Sequence, residues 1–171
     1  MEFGIISIED GWFKWYVQDN VQKVEITASR YDSEDNVKKL LVNLTDIIRY
    51  RKENVLSFSS ESGCVAIKMN VEENDVFTME LASSDREIHL NDDITCDKKY
   101  NKFSISMFQM RTEFVSTILK SFKYYQRSHL MLDYYDENWT VAIGSRDSEK
   151  FSFPFNELQE LHQVASGIEI K

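Results

Sequence analysis

Residues 37–81 read VKKLLVNLTDIIRYRKENVLSFSSESGCVAIKMNVEENDVFTMEL, and this stretch decides the fold. It opens with Val37, Leu40, Leu41, Leu44, Ile47 and Ile48, which make one apolar stripe at the helical period. Asp32 or Ser33 is placed to cap the exposed N–H groups at the start, with Glu34 and Asp35 at the positive end of the dipole. Arg49, Arg51 and Lys52 suit the opposite end. The period then changes. Val55 to Phe58 begins a strand, Glu61-Ser62-Gly63 makes a turn, and Val65, Ile67, Met69 and Val71 alternate with Ala66, Lys68 and Asn70. After a turn at Glu73-Asn74-Asp75, Phe77, Met79 and Leu81 alternate with Thr78 and Glu80. A helix followed by an antiparallel meander predicts an α+β fold.

The flanking regions extend the same pattern. Ile5, Ile6 and Ile8 lead into Asp10-Gly11, a hairpin signal, and Trp12 to Gln18 forms the returning strand. Asp19-Asn20 turns again before Val24, Ile26 and Ala28 alternate with Lys23, Glu25 and Thr27. Glu87 to Leu90 reads as a short edge strand and residues 91–102, polar and charged, as a loop. Ser106 and Gln109 form a capping-box pattern before a stripe of Met107, Met110, Phe114, Ile118 and Phe122, supported by Val115 and Leu119. Strands are expected at 129–135, 139–145 and 150–155, and a last short helix from the N-cap Asn156 to Gly167 as its C′ residue. The expected fold is therefore antiparallel β-meanders of about 9–10 strands packed with two main helices and a short C-terminal helix. One domain spans residues 1–171. An internal echo, in which Leu56 aligns with Leu132 and Val65-Ala66-Ile67 with Val141-Ala142-Ile143, would make 128–171 a C-terminal subunit repeating the helix-plus-meander of 37–82.

With 171 residues the chain is long enough to stand on its own core. Lys and Arg total 20 against 29 Asp and Glu, a net charge of −9 that disfavours non-specific DNA binding and suits cationic protein partners. The start, Met1-Glu2-Phe3-Gly4-Ile5-Ile6, lacks a basic region and a long apolar run, so no signal peptide is expected; no apolar run in the sequence approaches a membrane span, and a cytoplasmic location is expected. Cys64 and Cys96 lie far apart without a CxxC spacing and are expected as reduced thiols.

A search for chemistry yields little. His89, His129 and His162 are isolated from one another, and no HExxH, Cys/His cluster, phosphate-binding glycine motif, GxSxG elbow or EF-hand loop occurs. Metal, cofactor and catalytic residues are all expected to be none; an enzyme would have to use scattered carboxylates and His129. The basic-aromatic run Lys120–Arg127 could stack on RNA, yet its position at a helix end and the chain's charge favour a structural role.

The most suggestive string is Asp133-Tyr134-Tyr135-Asp136-Glu137-Asn138-Trp139. Tyr and Trp supply large, rigid contact area, and neighbouring acids steer a cationic partner. Alternation along a strand puts Asp133 and Tyr135 on one face and Tyr134 and Asp136 on the other. Tyr134, which aligns with Phe58 in the echo, is the tyrosine expected in the core, and Asp133, Tyr135, Asp136, Glu137 and Trp139 are the expected partner-binding residues. A similar mix occurs at the first hairpin, where Glu9, Asp10 and Trp12, with Trp15 and Tyr16 nearby, form a secondary candidate.

The helix Val37–Ile48, the meander Val55–Leu81, the helix Met107–Phe122 and the string Asp133–Trp139 together resemble the bacterial immunity proteins. The resemblance implies a cytosolic, non-enzymatic binding protein that neutralises a cognate toxin, often a nuclease, by tight association. It rests on pattern and carries over no individual residue. The alternative is an interaction module, or a phage or accessory factor, with an acidic protein-binding face.

Overall fold

The computed structural model describes residues 1–9, 12–29, 35–60, 63–84, 99–128 and 153–167. Strands β1 (Glu2–Glu9), β2 (Trp12–Gln18) and β3 (Lys23–Ser29) form a three-stranded antiparallel sheet in that order. Helix α1 (Asn36–Tyr50) follows. Strands β4 (Asn54–Ser60), β5 (Gly63–Val71), β6 (Val76–Ser84) and β7 (Lys99–Ser106) form a second, four-stranded antiparallel meander. A long helical rod comes next: α2 (Met107–Gln109), a π-helical turn (Met110–Phe114) and α3 (Val115–Ser128). Helix α4 (Phe155–Ala165) closes the described chain. This is the α+β architecture expected, with seven strands among the described residues.

The local causes are visible in the sequence. On α1 the whole expected stripe is buried, joined by Asn36 and Thr45. The N-cap is Asp35, whose carboxylate accepts the Lys38 N–H at 3.0 Å; Asp32 and Ser33 lie outside the described residues. Arg51 ends the helix in the left-handed region, φ 53°, where its N–H reaches the Ile47 carbonyl. The Asp19 turn forms as expected: its carboxylate accepts the N–H groups of Val21 at 2.8 Å and Gln22 at 2.9 Å. Those two bonds, Val21 first, hold the Asp19 carboxyl below its usual range.

The rod also bears out its expected start. Ser106 and Gln109 close a full capping box. The apolar stripe then runs Met110, Phe114, Ile118, Phe122 at steps of four, wider than an ordinary helix turn. The π turn absorbs that excess between Met110 and Phe114, and both are fully buried.

Two readings are corrected. Residues 99–102, expected as loop, belong to β7: Lys102 pairs with Glu80 and Tyr100 with Ala82 on β6. Lys99 and Lys102, three residues apart, stand on opposite faces of the strand and are both exposed, while Phe103 is buried. The strand expected at 150–155 does not include Phe153 and Pro154, and Phe155 already opens α4, one residue before the expected cap Asn156. Proline at that point suits a helix entry, where a missing N–H costs nothing. The strands expected at 129–135, 139–145 and 87–90, and therefore the echo, lie outside the described residues.

One core joins the inner faces of both sheets with α1, α3 and α4. Trp15, fully buried, stands 5.2 Å from Phe3, 5.9 Å from Phe13 and 6.2 Å from Phe58 between ring centres, so it links the two sheets. Phe3 continues to Phe122, Phe122 to Phe153, and Phe153 to Phe155. Helix α4 is held over α1 by Arg49–Glu160 at 2.6 Å and Lys38–Glu157 at 3.1 Å as well as by buried Leu161.

The outer edge of β1 has backbone donors that no strand among the described residues takes. Three hydroxyls of α3 take them: Thr117 accepts from Phe3 N–H at 2.9 Å, Ser121 from Ile5 at 2.8 Å and Tyr125 from Ile8 at 2.9 Å. Residues four apart on a helix rise about 6 Å, close to the two-residue repeat of a strand edge. A register shift between Ile5 and Ser7 brings Ile8, and not Ser7, to the third hydroxyl. Tyr125 also donates back to the Ile8 carbonyl at 3.0 Å. Tyr125→Phe is expected to cost about 2 kcal/mol in urea unfolding, because both Ile8 groups lose a partner in a buried place. A change below the error of the measurement would mean that the ladder contributes nothing.

Candidate functional site

The leading partner-binding residues, Asp133, Tyr135, Asp136, Glu137 and Trp139, lie outside the described residues, as do Asp10, His89, His129 and Cys96. The secondary candidate can be placed. Glu9 ends β1 and pairs with Trp12 at the start of β2, which in turn pairs with Ser29 on β3. Along β2, Phe13, Trp15 and Val17 are buried, while Trp12, Lys14, Tyr16 and Gln18 are only partly covered. Strand alternation therefore divides the first-hairpin aromatics. Trp12 and Tyr16 belong to the outer face. Trp15, counted with them from sequence, is core and has no place in a contact surface.

The outer face of this sheet has a defined geometry. Tyr16 lies across the sheet over Gly4, its cross-strand partner. A β-carbon at Gly4 would come within 2.3 Å of the Tyr16 ring, so the flat stacking requires glycine. Lys23 places its ammonium 4.4 Å from the Tyr16 ring centre and pairs with Glu25 at 2.8 Å. Gln18 donates to Glu2 at 2.7 Å. Trp12 and Tyr16, with Lys14 between them, thus form a short aromatic row bordered by charges of both signs. Such a surface can offer stacking, cation–π and hydrogen-bond contacts to another protein.

Other sequence candidates resolve individually. His162 is exposed on α4, and Glu160, two residues before it, is occupied by Arg49. The basic-aromatic run divides as well: Phe122 and Tyr125 are core, while Lys120, Lys123 and Tyr124 are exposed. No group of three or more His, Cys, Asp or Glu is gathered to hold a metal among the described residues. Among those residues, too, no helix is long and apolar enough to cross a membrane.

Sequence reasoning missed Phe108 and Tyr50, exposed by 71% and 64%. Phe108 stands next to the core residue Met107, and only its phase against the stripe could have singled it out. Comparison with known proteins returns no matching family model, curated protein or solved structure.

Proposed function

We propose that the chain is a binding protein that neutralises a cognate basic protein toxin, a nuclease being the first class to test, by occluding its active site. The observation that carries this reading is the outer face of the first sheet, where Trp12 and Tyr16 stand in a row on a chain of net charge −9. Partly covered aromatics make good anchors, since they bury much area for little lost rotamer freedom. The surplus of acids supplies long-range attraction to a cationic cleft and competes with substrate phosphates there. The string Asp133–Trp139 is proposed as the other half of the contact. The mechanism needs no bond-making: the inhibitor occupies the cleft.

The test uses the full chain as bait for its partner, followed by rate measurements. Trp12→Ala, Tyr135→Ala and Trp139→Ala are each expected to weaken binding by about 2 kcal/mol, mostly through faster dissociation. Asp136→Lys and Glu137→Lys are expected to slow association, with a deficit that shrinks as salt is added. Wild-type kinetics in all five folded variants would remove this surface from consideration. An isolated partner that is acidic, or that keeps its activity when bound, would overturn the inhibitor reading itself.

A further inference from the structure

We propose that the solvent side of the rod formed by α2, the π turn and α3 is a second docking surface, and that it takes an acidic segment of a protein partner. This goes beyond the inhibitor reading, which calls on a different face and a basic partner.

The rod's buried side is fully explained by the core and by β1. Its opposite side faces solvent over most of its length. Phe108, Thr112, Ser116, Lys120 and Tyr124 follow one another at steps of four along it. The π turn reduces the drift of the row between Phe108 and Ser116; along the regular helix beyond it, Ser116, Lys120 and Tyr124 step gradually around the axis. The two most exposed aromatic side chains among the described residues stand at its ends, Phe108 at 71% and Tyr124 at 76%. Between them lie roughly 24 Å of helix.

Charge selects the occupant. Most described cations elsewhere have an acid: Lys23 has Glu25, Lys38 has Glu157, Arg49 has Glu160, Arg51 has Asp75, Lys68 has Glu53 and Lys102 has Glu72 and Glu80. Arg111, Lys120 and Lys123 are exposed on the rod and form no ion pair with any described residue. Arg111 makes a 3.5 Å contact with the Ile48 carbonyl, and Glu113 is the lone described acid on the rod. A chain with nine surplus negative charges thus presents one helix face that is cationic between two aromatic ends. Exposed rings flanked by cations that pair with no described acid favour a segment bearing both carboxylates and apolar side chains. An RNA or DNA strand is the poorer fit, because three cations neutralise few phosphates and the rest of the chain repels them.

The experiment is an amide chemical-shift titration and an anisotropy titration of the full chain. The probes are a peptide of roughly 16 residues alternating Glu and Leu, the same peptide with Lys for Glu, and a single-stranded RNA oligonucleotide of similar length. The acidic peptide is expected to bind best and to shift amides across 108–124. A double variant, Phe108→Ala with Tyr124→Ala, and a second, Lys120→Glu with Lys123→Glu, are each expected to weaken it at least tenfold. All four side chains are exposed, so circular dichroism should stay unchanged. Absence of binding by the acidic peptide, equal binding by the lysine peptide, preference for the RNA, or unchanged affinity in both variants would each overturn the proposal. None of these outcomes bears on Trp12 or on the toxin reading, which is tested with its own partner.

Discussion

Trp15→Ala is expected to lower the stability of the chain by about 4 kcal/mol, near the upper end for removal of a buried aromatic. The side chain is fully buried and stands against Phe13 on its own strand, Phe3 on β1 and Phe58 on β4. Phe58 belongs to the second sheet, so truncation opens a cavity at the joint between the two sheets. The neighbours cannot easily collapse into it, because each ring is already fixed by its own strand. Trp15→Phe is expected to cost much less. The indole N–H of Trp15 is buried and finds no hydrogen-bond partner among the described residues, and phenylalanine removes that donor while keeping most of the packing. Equilibrium urea unfolding of both variants decides the point. Equal losses for alanine and phenylalanine would mean that the indole nitrogen is satisfied in solution and that the sheet joint lies elsewhere.

Gly4→Val is expected to cost about 3 kcal/mol, the upper end for an overpacked site. The backbone at this position poses no difficulty; the obstacle is the Tyr16 ring, which a β-carbon would meet at 2.3 Å. To make room, the ring must leave the sheet surface and give up its contact with Lys23. The strain is therefore pairwise. Adding Tyr16→Ala to Gly4→Val is expected to recover at least half of the loss, a strongly non-additive cycle. Additive losses would place the strain in the β1–β2 pairing instead of the ring.

The parts of the fold legible in the sequence were those written in a clean period. The stripe from Val37 to Ile48 appears as read, and so do the strands from Val65 to Leu81, although Ala66 and Thr78 on their other face are buried as well, Ala66 in a small second cluster with Ala82. The capping box at Ser106 was equally plain, since its two residues act locally. What was misread lies where a pattern serves two masters. Lys99 to Lys102 carry loop-like polarity, yet their backbones pair with β6 while both lysines stay exposed near the start of the strand. Trp15 looked like a surface aromatic beside Trp12 and Tyr16; the strict two-residue period of β2 sends it inward. The π turn was invisible in any single residue, and steps of four do not announce it, since Phe114, Ile118 and Phe122 keep the same spacing along the regular helix α3 and are all buried. The exposed row on the rod was equally hidden, since neither Phe108 nor Tyr124 could be told from core aromatics by type alone. Of the candidate site, the split of Trp12 and Tyr16 from Trp15 is a geometric fact that only the register supplies.

The hydroxyl ladder on β1 also has a consequence in time. Its bonds join residues 114 to 117 positions apart, so they are among the last contacts the chain can make. As the protein is synthesised, the first hairpin leaves the ribosome long before Thr117, Ser121 and Tyr125 exist. For that interval β1 presents a bare edge to every other nascent chain nearby, and pairing across such an edge is the usual start of misassembly. Closure of the edge waits for the rod, and the rod waits for the four-stranded meander translated between them. Long-range closure of this kind slows folding, since the loop entropy is lost before the contacts are gained. The N-terminal strand is thus born first and secured late, and the cell's chaperones have the whole of that window in which to act on it.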